Sequence, residues 1–272
     1  MSKFTSSPSF CYIAPTKYLD FTKASTTHLV LAHLIIGPHR DQSYVDFYKA
    51  RSAAGDLVLC DNSAFEFSGS VDPSTLIDAA LSVGAKSLVL PDYPNQPAQK
   101  TIDAAIEWIP KFKKAGLAPF FVPQSRIGDL DDWLNAYEWG ANNPDVEIIG
   151  QSILGMPNAI PHIPKSYARV VLTQMLIDRG LFNFNKHHHY LGLQNISLEI
   201  PPLLALKALD TCDSSNPIWA GINGFRYDTV SDSYLTISKR YLRDVDFNET
   251  IHERALPIVE YNIEVVSSMF NS

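Results

Sequence analysis

The chain has 272 residues, of which 46% are apolar, 11% aromatic and 19% charged, and its net charge is −7. That apolar fraction fills a core and excludes a disordered chain, while 13 Gly and 18 Pro without a period exclude a fibre. The longest apolar run, around residues 28–37, carries two histidines and is far shorter than the roughly 20 residues of a membrane-spanning helix. Met1–Phe10 has no apolar stretch of the secretory type, so a cytoplasmic protein is expected. Cys11, Cys60 and Cys212 are an odd set without a CxxC pair, which suits neither a disulfide framework nor a structural zinc site. An acidic total weighs against a broad phosphate-binding surface and leaves room only for a local basic patch.

Short β-rich runs alternate with helical segments along the whole chain. The expected strands are Phe10–Ala14, His28–Ile35, Leu57–Cys60, Ser87–Leu90, Pro119–Val122, Glu147–Ile149, His189–Leu193 and one near Lys207–Cys212. Most are continuous apolar runs, as in strands buried on both faces of a parallel sheet. Between them, Asp41–Ala54, Pro73–Val83, Ala98–Ala115, Leu130–Gly140 and Tyr167–Asp178 have helical spacing. Asp72 is a good N-cap with Pro73 at the first helical position and Gly84 just beyond the end. No linker interrupts the chain. The expectation is one (β/α)8 barrel over residues 1–272, with 226–272 a C-terminal helical extension. A doubly wound sheet is the alternative, but Ala14-Pro15-Thr16-Lys17 is not its glycine-rich first turn.

In such a barrel the chemistry stands at the C-terminal strand ends. Those ends read Asp61-Asn62-Ser63-Ala64-Phe65-Glu66, Pro91-Asp92-Tyr93, Pro123-Gln124-Ser125, Gly150-Gln151-Ser152, Gly192-Leu193-Gln194-Asn195 and Asp213-Ser214-Ser215. Asp61, Asp92 and Asp213 are therefore carboxylates in a ring of amides. Two carboxylates facing one pocket suffice to cleave a glycosidic bond, one meeting the sugar and the other moving a proton. Each Asp can equally cap the helix that follows it.

These segments resemble, in order, the tRNA-guanine transglycosylases. Asp61–Glu66 is similar to that family's DSGGFQ motif, with Asn-Ser-Ala in place of Ser-Gly-Gly. Leu90–Tyr93 resembles the strand end whose Asp helps read the purine. Val122-Pro123-Gln124 is similar to VQGG without its glycine pair. Ile149–Ser152 falls at the glycine-rich turn that meets the base through its backbone. Tyr190–Leu193 is similar to YLMGVG, and Leu209–Pro217 to IDMFDCVLPT. The resemblance covers about residues 10–225. It implies Asp213 as nucleophile on the sugar C1′ and Asp61 as general acid/base. It also implies Asn62, Phe65, Asp92, Tyr93, Gln124, Gly150, Gln151, Gly192 and Gln194 as substrate contacts, and no cofactor. The family's Cys/Cys/Cys/His zinc site has no counterpart, because no cysteine follows Asp213. The resemblance is therefore to short zinc-less bacterial and phage relatives that act on DNA. The implied partners are DNA, with its base flipped out or single-stranded, and a free purine or 7-deazapurine if the reaction is exchange. Hydrolytic excision of a modified base and a non-catalytic base-binding barrel stay open beside base exchange.

Other groups are less specific. In Lys186-His187-His188-His189 only His187 and His189 share a strand face, and no further ligand is identifiable, so no metal is expected. His33 reads as a hydrogen-bonded core histidine, and Cys60 and Cys212 as buried thiols. Tyr93, Phe65 and Phe67 are candidates to stack on a base, or core packing. Arg226, Lys239, Arg240 and Arg243 follow the last strand and form the candidate phosphate patch, or else a solvated helix face.

Overall fold

The computed structural model describes residues 4–5, 7–64, 67, 71–227 and 246–271. Eight parallel strands form one sheet: β1 (Ser9–Tyr12), β2 (Thr27–Leu31), β3 (Leu57–Asp61), β4 (Ser87–Val89), β5 (Ala118–Phe121), β6 (Ile148–Gly150), β7 (His187–Tyr190) and β8 (Thr211–Ser214). Their order is β1-β8-β7-β6-β5-β4-β3-β2. Across the seam between β1 and β2, Ser9 Oγ donates to Thr27 Oγ1 at 3.0 Å. The sheet is thus rolled into a nearly closed (β/α)8 barrel.

Helices follow the strands: α1 (Gln42–Ala53), α2 (Pro73–Ser82), α3 (Ala98–Lys114), α4 (Leu130–Asn142), a short α5 (Gly155–Ala159), α6 (Lys165–Asp178), α7 (Ile196–Ala205), α8 (Asn216–Ile222) and α9 (Leu256–Met269). Local chemistry starts several of them. Asp41 accepts from the Ser43 and Tyr44 amides, Asp72 from Ser74, Asp129 from Asp132 and Asn195 from Leu198, each satisfying donors the helix cannot. Helix α9 binds the barrel through Tyr12, whose hydroxyl donates to the Ile263 carbonyl at 3.1 Å. Among the described residues no helix is long and apolar enough to cross a membrane.

Alternation along the strands divides the core. Phe120, Gly150 and His189 face the barrel interior: the Phe120 and His189 rings lie 5.5 Å apart. A Cβ on Gly150 would come within 2.8 Å of Phe120 and 2.7 Å of Val122. The intervening residues face the helices. Phe121 and Ile149 close on Gly140 of α4, His188 stacks on Phe182, and the Tyr190 hydroxyl meets Thr173 of α6 at 2.9 Å.

Most strand bounds shift by one or two residues from the sequence-based ones, and three strands differ by more. β2 ends at Leu31, and Ala32–Leu34 forms a 3-10 turn that stays buried, so its apolar run continued without strand geometry. β7 spans His187–Tyr190, starting two and ending three residues earlier than expected, because all three histidines are core residues. β8 is Thr211–Ser214. Lys207 belongs to the turn that ends α7, at φ 54°. The Pro-containing α5 and α7 were not expected as helices. Within residues 226–272, α9 covers Leu256–Met269, and residues 228–245 lie outside the described residues.

Candidate functional site

The strand ends bring the candidate residues together in two clusters. The first spans β3, β4 and β5. Asp92 accepts from Asn62 Nδ2 at 2.9 Å on one oxygen and from Gln124 Nε2 at 2.6 Å on the other. Burial pushes the Asp92 carboxyl above its ordinary range, and the two amide donors oppose that shift. Asn62 also donates to the Leu90 carbonyl at 3.0 Å and accepts from the Ala64 amide at 3.0 Å. Its two N–H groups are therefore both committed, one to Asp92 and one to the Leu90 carbonyl. Tyr93 stands beside this cluster with Lys100 Nζ 4.2 Å from its ring centroid, so a cation covers one face.

Asp61 lies at the end of β3, where Oδ2 accepts from the Ser63 amide at 2.9 Å. Ser63 has φ 52° and is buried. This left-handed conformation is natural to glycine, the residue of the DSGGFQ pattern at this position. Its hydroxyl contacts His33 Nδ1 at 3.2 Å, and burial lowers His33 to about 4. His33 is the hydrogen-bonded core residue expected.

The second cluster spans β7 and β8. Asp213 is buried, and its Oδ1 faces two donors, His189 Nε2 at 3.1 Å and the Gly192 amide at 2.9 Å. Gly192 has φ 65°, a turn that glycine adopts without strain. Asp213 is in register with Cys11 on β1, and Asp61 with Leu31 on β2.

A buried ion pair sets the loop that carries Gly192. Arg169 of α6 bonds Glu199 of α7 at 2.6 Å. The guanidinium also donates to the carbonyls of Leu191 at 2.7 Å and Gly192 at 3.3 Å. Glu199 accepts from the Gln194 and Asn195 amides. Neither Arg169 nor Glu199 was singled out from sequence. Both sit on helices without a strand-end motif, and a buried charge is invisible to composition.

The remaining candidates are placed as follows. Gly150 faces the interior with no room for a side chain. Gln151 is fully buried, and neither atom of its amide has a partner. Its position in the alternation is that of Ile149, on the helix side. Gln194 is half-buried and held through its backbone. Phe67 lies edge-on to His33. Cys60 and Cys212 are buried, as expected. His187 and His189 bond Thr211 rather than gathering ligands, and no group of three or more metal-ligating side chains occurs among the described residues. Arg226 is exposed and stacks on Tyr261, 3.6 Å from the ring centroid. Phe65, Lys239, Arg240 and Arg243 lie outside the described residues.

An eight-stranded barrel with carboxylates at its strand ends is the frame shared by many enzymes of unrelated chemistry. No protein-family model and no curated protein matches the chain. Solved structures do. A tryptophan synthase chain from M. tuberculosis is 11% identical, with a TM-score of 0.52, over 98% of this chain and 94% of that one. A Coccidioides immitis protein described as a fructose-1,6-biphosphate aldolase is 11% identical, with a TM-score of 0.56, over 97% and 90%. At such identity the likeness establishes the barrel fold alone.

Proposed function

We propose that this chain is an enzyme that breaks a base–sugar N-glycosidic bond in DNA, in the manner of the tRNA-guanine transglycosylases it resembles. The observation that carries the reading is the Asp213 carboxylate. One oxygen takes two hydrogen bonds, and Oδ2 has no partner among the described residues. Oδ2 attacks the sugar C1′ and forms an ester. The bonding electrons leave with the base, and Asp61, at the end of β3, supplies the proton the base needs. Asp92 and Gln124 present acceptor and amide groups that suit the edge of a guanine. An incoming 7-deazapurine, deprotonated by Asp61, displaces Asp213 and leaves DNA carrying the new base.

The test incubates the protein with guanine-labelled DNA, with and without a free 7-deazapurine. Release of labelled guanine matched by incorporation of the deazapurine, lost in Asp213→Asn, supports exchange. Abasic sites without incorporation turn the reading to hydrolytic excision. Full base release by Asp213→Asn overturns the nucleophile assignment. Absence of release from any DNA, with base binding retained, leaves a base-binding barrel. Labelled guanine entering tRNA but not DNA overturns the choice of polymer.

A further inference from the structure

A file of buried polar groups runs through the barrel interior to Asp213. His187 Nε2 lies 2.7 Å from Thr211 Oγ1, which lies 2.7 Å from His189 Nδ1, and His189 Nε2 lies 3.1 Å from Asp213 Oδ1. His187, His189 and Thr211 are almost wholly shielded from solvent. An apolar interior packs a barrel well, so four polar side chains in a row need a reason beyond filling space.

Counting protons gives the file a direction. An ionised carboxylate only accepts, so His189 Nε2 carries a proton and donates it to Asp213. A neutral His189 then has a bare Nδ1, which must accept from the Thr211 hydroxyl. The hydroxyl has a single hydrogen, so its oxygen accepts from His187 Nε2–H. Burial lowers His187 to about 3, which keeps that ring neutral. With Asp213 ionised and His189 neutral, each hydrogen bond requires the next, and all three point toward Asp213.

From this the geometry points to His187, Thr211 and His189 as positioning residues: a one-way hydrogen-bond file that fixes the His189 tautomer, holds Asp213 by Oδ1 and leaves Oδ2 to react. The Gly192 amide is the other donor on Oδ1, and the Asp213 charge also acts on the buried Cys11 and Cys212 thiols. The role of Oδ2 rests on the proposed function, while the direction of the file does not.

The test is made on the full chain labelled with ¹⁵N-histidine, with signals assigned by single substitution. The expected result near neutral pH is one tautomer for each ring, protonated on Nε2 in both His187 and His189. A proton on His189 Nδ1, on both nitrogens, or averaged between them overturns the file whatever Asp213 does. Thr211→Val removes the hydroxyl at nearly constant shape. It is expected to leave His189 averaged between tautomers and to lower kcat for base release about tenfold or more with KM unchanged. Thr211→Ser, which keeps the hydroxyl, restores both. An unchanged kcat in Thr211→Val overturns the positioning role. The wild-type tautomers decide the direction even where the valine variant does not fold. Expected tautomers together with full base release by Asp213→Asn leave the file standing and remove only the nucleophile.

Discussion

Arg169 and Glu199 form an ion pair of 2.6 Å in which neither side chain is exposed at all. The pair is satisfied at both ends. Arg169 reaches the carbonyls of Leu191 and Gly192, and Glu199 the amides of Gln194 and Asn195. Removing one partner strands a charge in the core. Arg169→Met is expected to destabilise the fold by about 3–5 kcal/mol, whereas the double variant Arg169→Met with Glu199→Leu recovers part of that loss. Urea denaturation of the two variants measures it. A single variant within about 1 kcal/mol of the parent would show that the pair carries little.

The interior at β6 sets a steric limit. A methyl group on Gly150 would approach Val122, Phe120 and Leu191 to 2.7, 2.8 and 3.0 Å. Gly150→Ala is therefore expected to cost about 1–3 kcal/mol through overpacking. Circular dichroism during thermal unfolding checks it, and an unchanged melting temperature contradicts the crowding. The resemblance assigns this strand-end glycine to base contact, and weakened base binding at unchanged melting temperature would mark a binding role instead.

The barrel was legible because its strands are short apolar runs alternating with segments of helical spacing, and because Pro73–Val83 carries its own start and stop signals. The strand-end carboxylates were legible for the same reason: each directly follows a run. What the sequence did not reveal is long-range partnership. Nothing local marks Arg169 as the partner of Glu199, or Asn62 as a holder of Asp92 rather than a free amide. Lys186–His189 reads as polar, yet its histidines are buried because Thr211, Tyr137 and Asp213, all distant in sequence, supply their hydrogen bonds.

Four buried histidines make the fold acid-sensitive. Burial lowers His28 despite its 2.8 Å contact with Asp56, and it lowers His33 to about 4 and His187 and His188 to about 3. Below about pH 6.5 the unfolded chain binds protons that the native chain refuses, so stability falls with pH until the native values are reached. Each histidine adds up to one proton, or about 1.4 kcal/mol per pH unit, to that slope. His188 stacks on Phe182 and bonds the Tyr137 hydroxyl on the helix side of β7. His188→Phe is expected to lower the slope by about one proton in urea titrations between roughly pH 4 and 6. An unchanged slope would show that His188 already takes its proton in the native state.

The amide donors of Asp92 bear on substrate reading. Burial raises its carboxyl, and Asn62 and Gln124 hold that rise in check. Gln124→Leu removes the 2.6 Å donor, so the carboxyl keeps its proton to a higher pH than in the parent. A protonated Asp92 has lost one of the acceptors that the N–H groups of a guanine edge require. Binding of the base is therefore expected to weaken at the acid end of the active range, by about 1.5–3 kcal/mol for a lost charge-assisted hydrogen bond, and to recover as pH rises. Equilibrium binding of guanine across pH, with Asn62→Ala as the parallel variant, makes the measurement. A loss independent of pH would assign Gln124 to direct contact with the base instead of to the charge of Asp92.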